Sequence, residues 1–197
     1  MTVLEDKRAA ALHAAGLVKD GMRVGLGSGT TVAPLFEALA ARGLSLRCVA
    51  TSVATEVAAR AAGLAVEPFD TLEELDIAID GADQIDPSGW LVKGGGRAHT
   101  REKVVDRLDP PVPLELLPFG VAATLHRLGS VVLRDGASSP DGGVIADWTG
   151  PVDDPEALAA RLAAAPGVVE HGLFPPSLVT DIVIARDGAI EHRELRR

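Results

Sequence analysis

Between residues 22 and 79 the chain alternates short apolar runs with helix-patterned segments, and no other feature narrows the possible folds as much. Residues 22–26, 46–50, 64–68 and 77–79 read as strands. Residues 5–17, 31–42 and 54–62 carry alanine and leucine at helical spacing, with a short acidic helical turn expected at 72–75. Gly43 and Gly63 stand where helix C-terminal caps belong. Strands separated by helices predict right-handed βαβ units and a mostly parallel sheet, hence an α/β fold. In such sheets ligands bind beyond the carboxyl ends of the strands. The loops after residues 24–26 and 77–79 both leave such ends, so two polar clusters far apart in sequence are expected at one edge.

The pattern changes after Asp109. Pro110, Pro111 and Pro113 form a stiff, extended lead. Residues 114–117, 131–134, 143–148 and 167–173 then read as strands, and 120–128 and 155–164 as helices. Asp154 is placed as the N-cap of the second helix, and a turn at 140–143 divides the middle strands. This βαββαβ order predicts a ferredoxin-like unit. A last apolar run at 179–184 is expected as a strand returning to the first sheet.

Composition excludes several function classes. A length of 197 residues suffices for one sizeable core or one domain with a smaller companion. A net charge of −9, with four Phe, two Trp and no Tyr, argues against a general nucleic-acid binder. The lone Cys48 excludes an intrachain disulfide and, inside an apolar run, reads as a buried structural thiol. No run approaches the ~20 apolar residues of a membrane span, and residues 1–15 do not read as a signal peptide. A cytoplasmic protein with no membrane partner is the expectation.

Three motifs carry chemistry. The first, Gly25-Leu26-Gly27-Ser28-Gly29-Thr30-Thr31, follows a strand and opens a helix, so its amides and hydroxyls suit an anion. It lacks the Walker ending and the third glycine of a dinucleotide loop. Read alone it is equally a tight strand-to-helix turn with capping hydroxyls. In the second, Asp80-Gly81-Ala82-Asp83, the carboxylates could orient sugar hydroxyls, shuttle protons or hold a metal; an Asx turn is the plainer reading. The third is Lys93-Gly94-Gly95-Gly96-Arg97-Ala98-His99-Thr100-Arg101-Glu102-Lys103. Three glycines cost backbone entropy, which a chain accepts where a ligand approaches the backbone. Glu102 is placed in the first turn of a following helix, where acids are also common without function. His99 reads as a loop-packing or solvent-facing residue, and His126, His171 and His192 as surface residues. Together the motifs supply amides, hydroxyls, carboxylates and an ammonium, an inventory that suits a phosphorylated polyol.

In order and spacing the three motifs resemble the ribose-5-phosphate isomerase A family, whose patterns are G-x-G-[TS]-G-[ST]-T, D-G-A-D-E and K-G-G-G-[GA]-A-x-x-R-E-K. Leu117-Pro118-Phe119-Gly120, Pro166-Gly167-Val168-Val169 and Gly172-Leu173-Phe174 resemble its lid segments. The resemblance implies a Rossmann-like catalytic domain over residues 1–111 plus 174–197 and a ferredoxin-like lid over 112–173. It implies interconversion of D-ribose 5-phosphate and D-ribulose 5-phosphate with no cofactor and no metal, in a homodimer or homotetramer. The family's general base falls on Glu102, with Asp80 and Lys93 as further catalytic groups. Substrate-binding positions fall on Ser28, Gly29, Thr30, Thr31, Asp80, Gly81, Ala82, Asp83, Lys93, Gly94, Gly95 and Gly96, and on Lys7 near the phosphate. Three departures stand out. Gln84 replaces a glutamate, and Arg97 and His99 replace small or apolar residues. After Val105 the chain also runs directly into the proline lead, omitting a core strand and an A-D-x-S-K segment with its site lysine. That omission motivates the alternative of a sugar-phosphate-binding protein without turnover.

Overall fold

The computed structural model describes residues 2–95, 103–104 and 106–195. They form two compact units, one comprising residues 1–81 with 181–194, the other residues 82–180 with 195–197. No described helix is long and apolar enough to cross a membrane.

The first unit is Rossmann-like. Strands β1 (Arg23–Leu26), β2 (Arg47–Ala50) and β3 (Ile77–Ile79) form a parallel sheet in the order β2-β1-β3. Helix α1 (Val3–Leu17) starts two residues earlier than the sequence pattern suggests, because Thr2 and Glu5 form a reciprocal capping box. Its far end is closed by the Arg42 guanidinium, which donates to the carbonyls of Ala15 and Val18. Helices α2 (Ala33–Ala40) and α3 (Val53–Ala61) follow β1 and β2, and Ser52 caps α3. Gly43 and Gly63 have positive φ, as their capping positions require. The core joins Ala11 and Ala15 of α1, Val24 and Leu26 of β1, Leu35, Phe36 and Leu39 of α2, and Cys48 of β2.

Several elements differ from the sequence expectation. Residues 64–68 make no strand: one bridge joins Val66 to Cys48, and Pro68 ends the pairing because it has no N–H to donate. The helical turn lies at Phe69–Thr71, not at 72–75, where Leu72 already adopts an extended conformation. The last apolar run belongs to the first unit but does not join its parallel sheet. It forms β12 (Asp181–Arg186), paired antiparallel with β13 (Ala189–Glu194). Asp6 of α1 accepts from the turn amides of Asp187 and Gly188. His192 is not a surface residue: its Nε2 lies 2.8 Å from Asp181 Oδ1, and its Nδ1 lies 3.2 Å from His13 Nε2.

The second unit contains the expected βαββαβ sequence of elements. These are β7 (Val112–Leu116), α4 (Val121–Leu128), β8 (Val131–Ser138), β9 (Val144–Trp148), α5 (Pro155–Ala163) and β10 (Val168–His171). The strands are antiparallel in the order β10-β7-β9-β8, the ferredoxin-like arrangement. Asp154 caps α5 by accepting from the Ala157 amide at 2.9 Å. Leu114, Leu116, Ala146, Trp148, Leu158 and Leu162 lie in its core. His171 is also largely buried, not on the surface.

A smaller sheet in the same unit has the order β11-β5-β4-β6. Its strands are β4 (Gln84–Ile85), β5 (Leu91–Val92), β6 (Lys103–Val104) and β11 (Leu173–Phe174). This sheet explains why the units divide at residue 81 and not at 111. Leu91 and Val92 of β5 pair with β11, and Gly172 links Lys93 to Pro113 by accepting from the Lys93 amide and donating to the Pro113 carbonyl. It also corrects the expected helix after the glycine run, since Lys103 and Val104 are extended and pair parallel with β4.

Candidate active site

Parallel pairing in the first unit aligns Leu26 with Ile79, so β1 and β3 end at the same edge. The loop after β1 and Asp80 after β3 therefore meet, as the topology predicts. The Gly27 amide donates to the Ile79 carbonyl at 2.9 Å, and buried Thr55 donates to the Gly27 carbonyl at 3.3 Å. Asp80 Oδ1 accepts from the amides of Ser28 at 3.2 Å and Gly81 at 2.8 Å. A Cβ on Gly27 would lie 2.1 Å from that oxygen, so glycine is required for the carboxylate to lie over the loop. A Cβ on Gly81 would come within 3.2 Å of Thr31 Cβ. Lys7, projecting from α1, donates its Nζ to Thr30 Oγ1 at 2.9 Å. Lys7, Ser28, Thr30, Thr31, Asp80 and Gly81 are thus brought together.

The donors of this cluster are not those of the α2 terminus. The helix begins at Ala33, two residues later than expected. The amides of Val32 and Ala33 are already bonded to the Gly29 carbonyl and that of Leu35 to the Val32 carbonyl, while Pro34 has no N–H. Donors for an anion must therefore come from the loop itself, its hydroxyls and Lys7.

In the second unit the β4–β5 hairpin sets Asp83 against the residues that follow β5. The Asp83 amide bonds the Val92 carbonyl at 2.8 Å, and Asp83 Oδ2 accepts from the Gly95 amide at 2.7 Å. Lys93 Nζ stands 5.4 Å from the centre of the Phe174 ring, within cation–π range. Asp83, Lys93, Gly94 and Gly95 are therefore neighbours, and Ala82 precedes them in the chain. Glu102 and Gly96, together with Arg97 and His99, lie outside the described residues.

The Gln84 departure has a local cause. Its side-chain amide donates to the Asp109 carbonyl and accepts from the Asp109 amide, both at 2.8 Å. A glutamate could make only the accepting half of that pair. Two contacts escaped the sequence reading. Phe174 was legible only within Gly172-Leu173-Phe174, the segment that resembles the family's lid, with no sign of its contact to Lys93. Arg134 of β8 bonds the Gly94 carbonyl at 3.1 Å and the Gly95 carbonyl at 3.4 Å, and no local motif marks a partner forty positions away. Its guanidinium is held by Asp147 on β9 through two 2.6 Å bonds. Asp147 foremost, and Asp83 by its charge, raise its pKa further above the ordinary value.

Comparison with known proteins finds similarity across nearly the whole chain. The family model for ribose 5-phosphate isomerase A (phosphoriboisomerase A) matches residues 47–109 and 104–188. Ribose-5-phosphate isomerase A of Methanosarcina acetivorans is 42% identical over 219 aligned residues, covering 94% of this chain and 93% of the relative. That of Methylorubrum populi is 40% identical, covering 95% of each. A solved D-ribose-5-phosphate isomerase in complex with phospho-erythronic acid superposes with a TM-score of 0.90 at 30% identity, covering 98% of this chain and 100% of that one. An alignment of 219 residues against a chain of 197 means that the Methanosarcina relative carries positions with no counterpart here, in keeping with an omitted segment after Val105. With three motifs in order, a matching fold and similarity over nearly the full length, the chain belongs to the ribose 5-phosphate isomerase A family.

Proposed function

We propose that this protein interconverts D-ribose 5-phosphate and D-ribulose 5-phosphate as an aldose–ketose isomerase of the non-oxidative pentose phosphate pathway. The near full-length similarity to relatives named for that activity carries the reading. Glu102 takes the C2 proton of the open-chain aldehyde, leaving a cis-enediolate. The same carboxyl then delivers a proton to C1, while the hydroxyl proton on O2 is given up as O1 becomes protonated. No external oxidant or reductant is needed, because C1 is reduced as C2 is oxidised. Lys93 and N–H groups of the glycine loop other than that of Gly95, which is bonded to Asp83, stabilise the enediolate charge. Asp80 and Asp83 orient and relay protons among the hydroxyls, alongside Gly81 and Ala82. Ser28, Gly29, Thr30, Thr31 and Lys7 bind the phosphate or the adjacent hydroxyls; the Lys7–Thr30 hydrogen bond supports grouping these residues.

By the same resemblance the protein works in the cytoplasm as a homodimer or homotetramer, without cofactor or metal. The deciding experiment measures turnover of ribose 5-phosphate by the wild type and by Glu102→Gln, alongside ligand binding by both. The proposal expects turnover only in the wild type and binding in both. A wild type that binds but does not turn over is the sugar-phosphate-binding alternative.

A further inference from the structure

The peptide between Gly94 and Gly95 is gripped on both sides. Its carbonyl accepts from Arg134 Nη1 at 3.1 Å, and its N–H donates to Asp83 Oδ2 at 2.7 Å. A glycine on each side makes this an easy peptide to flip, since both signs of φ are open to glycine. Gly94 sits at φ +92°, a conformation that other residues rarely adopt. The sequence therefore leaves the peptide free to rotate, and tertiary contacts must select one orientation.

Arg134 is built for that selection. Its Nε and Nη2 are engaged by Asp147 in a two-pronged pair, which fixes the plane of the guanidinium. Both side chains are about one-fifth exposed, so neither swings freely in solvent. Fixing that plane aims Nη1 at the two glycine carbonyls. A lysine could not do both, since its ammonium has no planar fork.

We propose that Arg134, braced by Asp147, is a positioning residue that locks the Gly94–Gly95 peptide with its N–H on Asp83. The lock thereby fixes the backbone leaving Lys93 and the carboxylate of Asp83 for the isomerisation. The kinetic part of this inference rests on the isomerase reading above; the structural part does not. Arg134 touches no substrate in this account and acts through the loop.

The test uses protein labelled with carbonyl-¹³C and ¹⁵N glycine. Only amides that follow a glycine then show one-bond carbon–nitrogen coupling, and the sequence has three: Gly95, Gly96 and Gly143. Arg134→Gln should move the Gly95 resonance in the same direction as Asp83→Asn does, with Gly143 reporting that the β8–β9 hairpin is intact. In the isomerase assay Arg134→Gln should lower kcat by roughly 10- to 100-fold, as expected of a small displacement of reacting groups. Arg134→Lys should not rescue it. The double variant Arg134→Gln/Asp147→Asn removes the unpaired carboxylate and should show the same kcat loss with wild-type thermal stability. An unmoved Gly95 resonance in folded Arg134→Gln overturns the lock. So does a kcat loss that disappears in the stable double variant. A wild type without turnover overturns the isomerase reading alone, and the Gly95 resonance still decides the role of Arg134.

Discussion

Gly27→Ala isolates the placement of Asp80 from its chemistry. Gly27 is not at positive φ, so the backbone accepts alanine and only the neighbour opposes it. The added methyl would lie 2.1 Å from Asp80 Oδ1, 2.2 Å from Cγ and 2.5 Å from Cβ, far inside contact distance. The carboxylate must rotate away and lose its bonds to the Ser28 and Gly81 amides. Asp80 is exposed, so water replaces part of the loss, and the net cost is about 1–2 kcal/mol. For a chain of this length that corresponds to a Tm drop of about 2–8 °C, measurable by calorimetry. The kinetic effect should be larger than the stability effect. A displacement of roughly 1 Å at a reacting group costs on the order of 100-fold, so kcat/KM should fall by about that factor. Asp80→Ala should lose a similar amount, and the double variant should be no worse than Asp80→Ala, since both remove one function. Wild-type kcat/KM in Gly27→Ala, or fully additive losses in the double variant, would refute the reasoning.

Other expectations follow from single contacts. Thr31→Ala should raise KM for ribose 5-phosphate more than it lowers kcat, because binding made equally in ground and transition states appears in KM; steady-state kinetics checks this. Cys48 is buried, with its thiol pushed up to about 11, so a thiol reagent should react only after denaturant unfolds the chain. Glu67 is held at about 2, below its ordinary 4.5, chiefly by its bonds from Arg47 and then by that from Thr71. A lowered carboxylate pKa stabilises the fold fully above about pH 4.5, and the contribution is lost as pH falls towards 2. Denaturant titrations should therefore find Arg47→Gln less stable than the wild type near pH 6, with the difference closing by pH 2.

The parts of the fold legible in the sequence were those set by local pattern and chain order. Strand–helix alternation was enough to place β1, β2 and β3 in parallel, because crossover handedness leaves few alternatives. It also brought Ser28 and Asp80 to one edge. Asp154 and the turn at 140–143 marked the ferredoxin-like unit for the same local reason. The failures fall where tertiary pairing overrides local signal. Residues 64–68 have the composition of a strand, yet Pro68 and a single partner leave only a bridge at Val66. Residues 103–104 follow a helix-like pattern, yet pair with β4. The helix-terminus donors expected for an anion are consumed by the turn at Gly29, a detail of hydrogen bonding that composition does not carry. Arg134 was invisible because its significance lies in two glycine carbonyls distant in sequence.

The central claim is proton transfer from C2 of an aldose phosphate by a single carboxylate. It is tested most directly by following D-ribose 5-phosphate in deuterium oxide by proton NMR with wild type and Glu102→Gln. With the wild type, the C2–H signal should decline as ribulose 5-phosphate appears, and deuterium should enter at C1 of the product. With Glu102→Gln the C2–H signal should persist although the ligand is still bound. Conversion, or loss of the C2–H signal, at an undiminished rate in Glu102→Gln would place the base elsewhere and contradict the account.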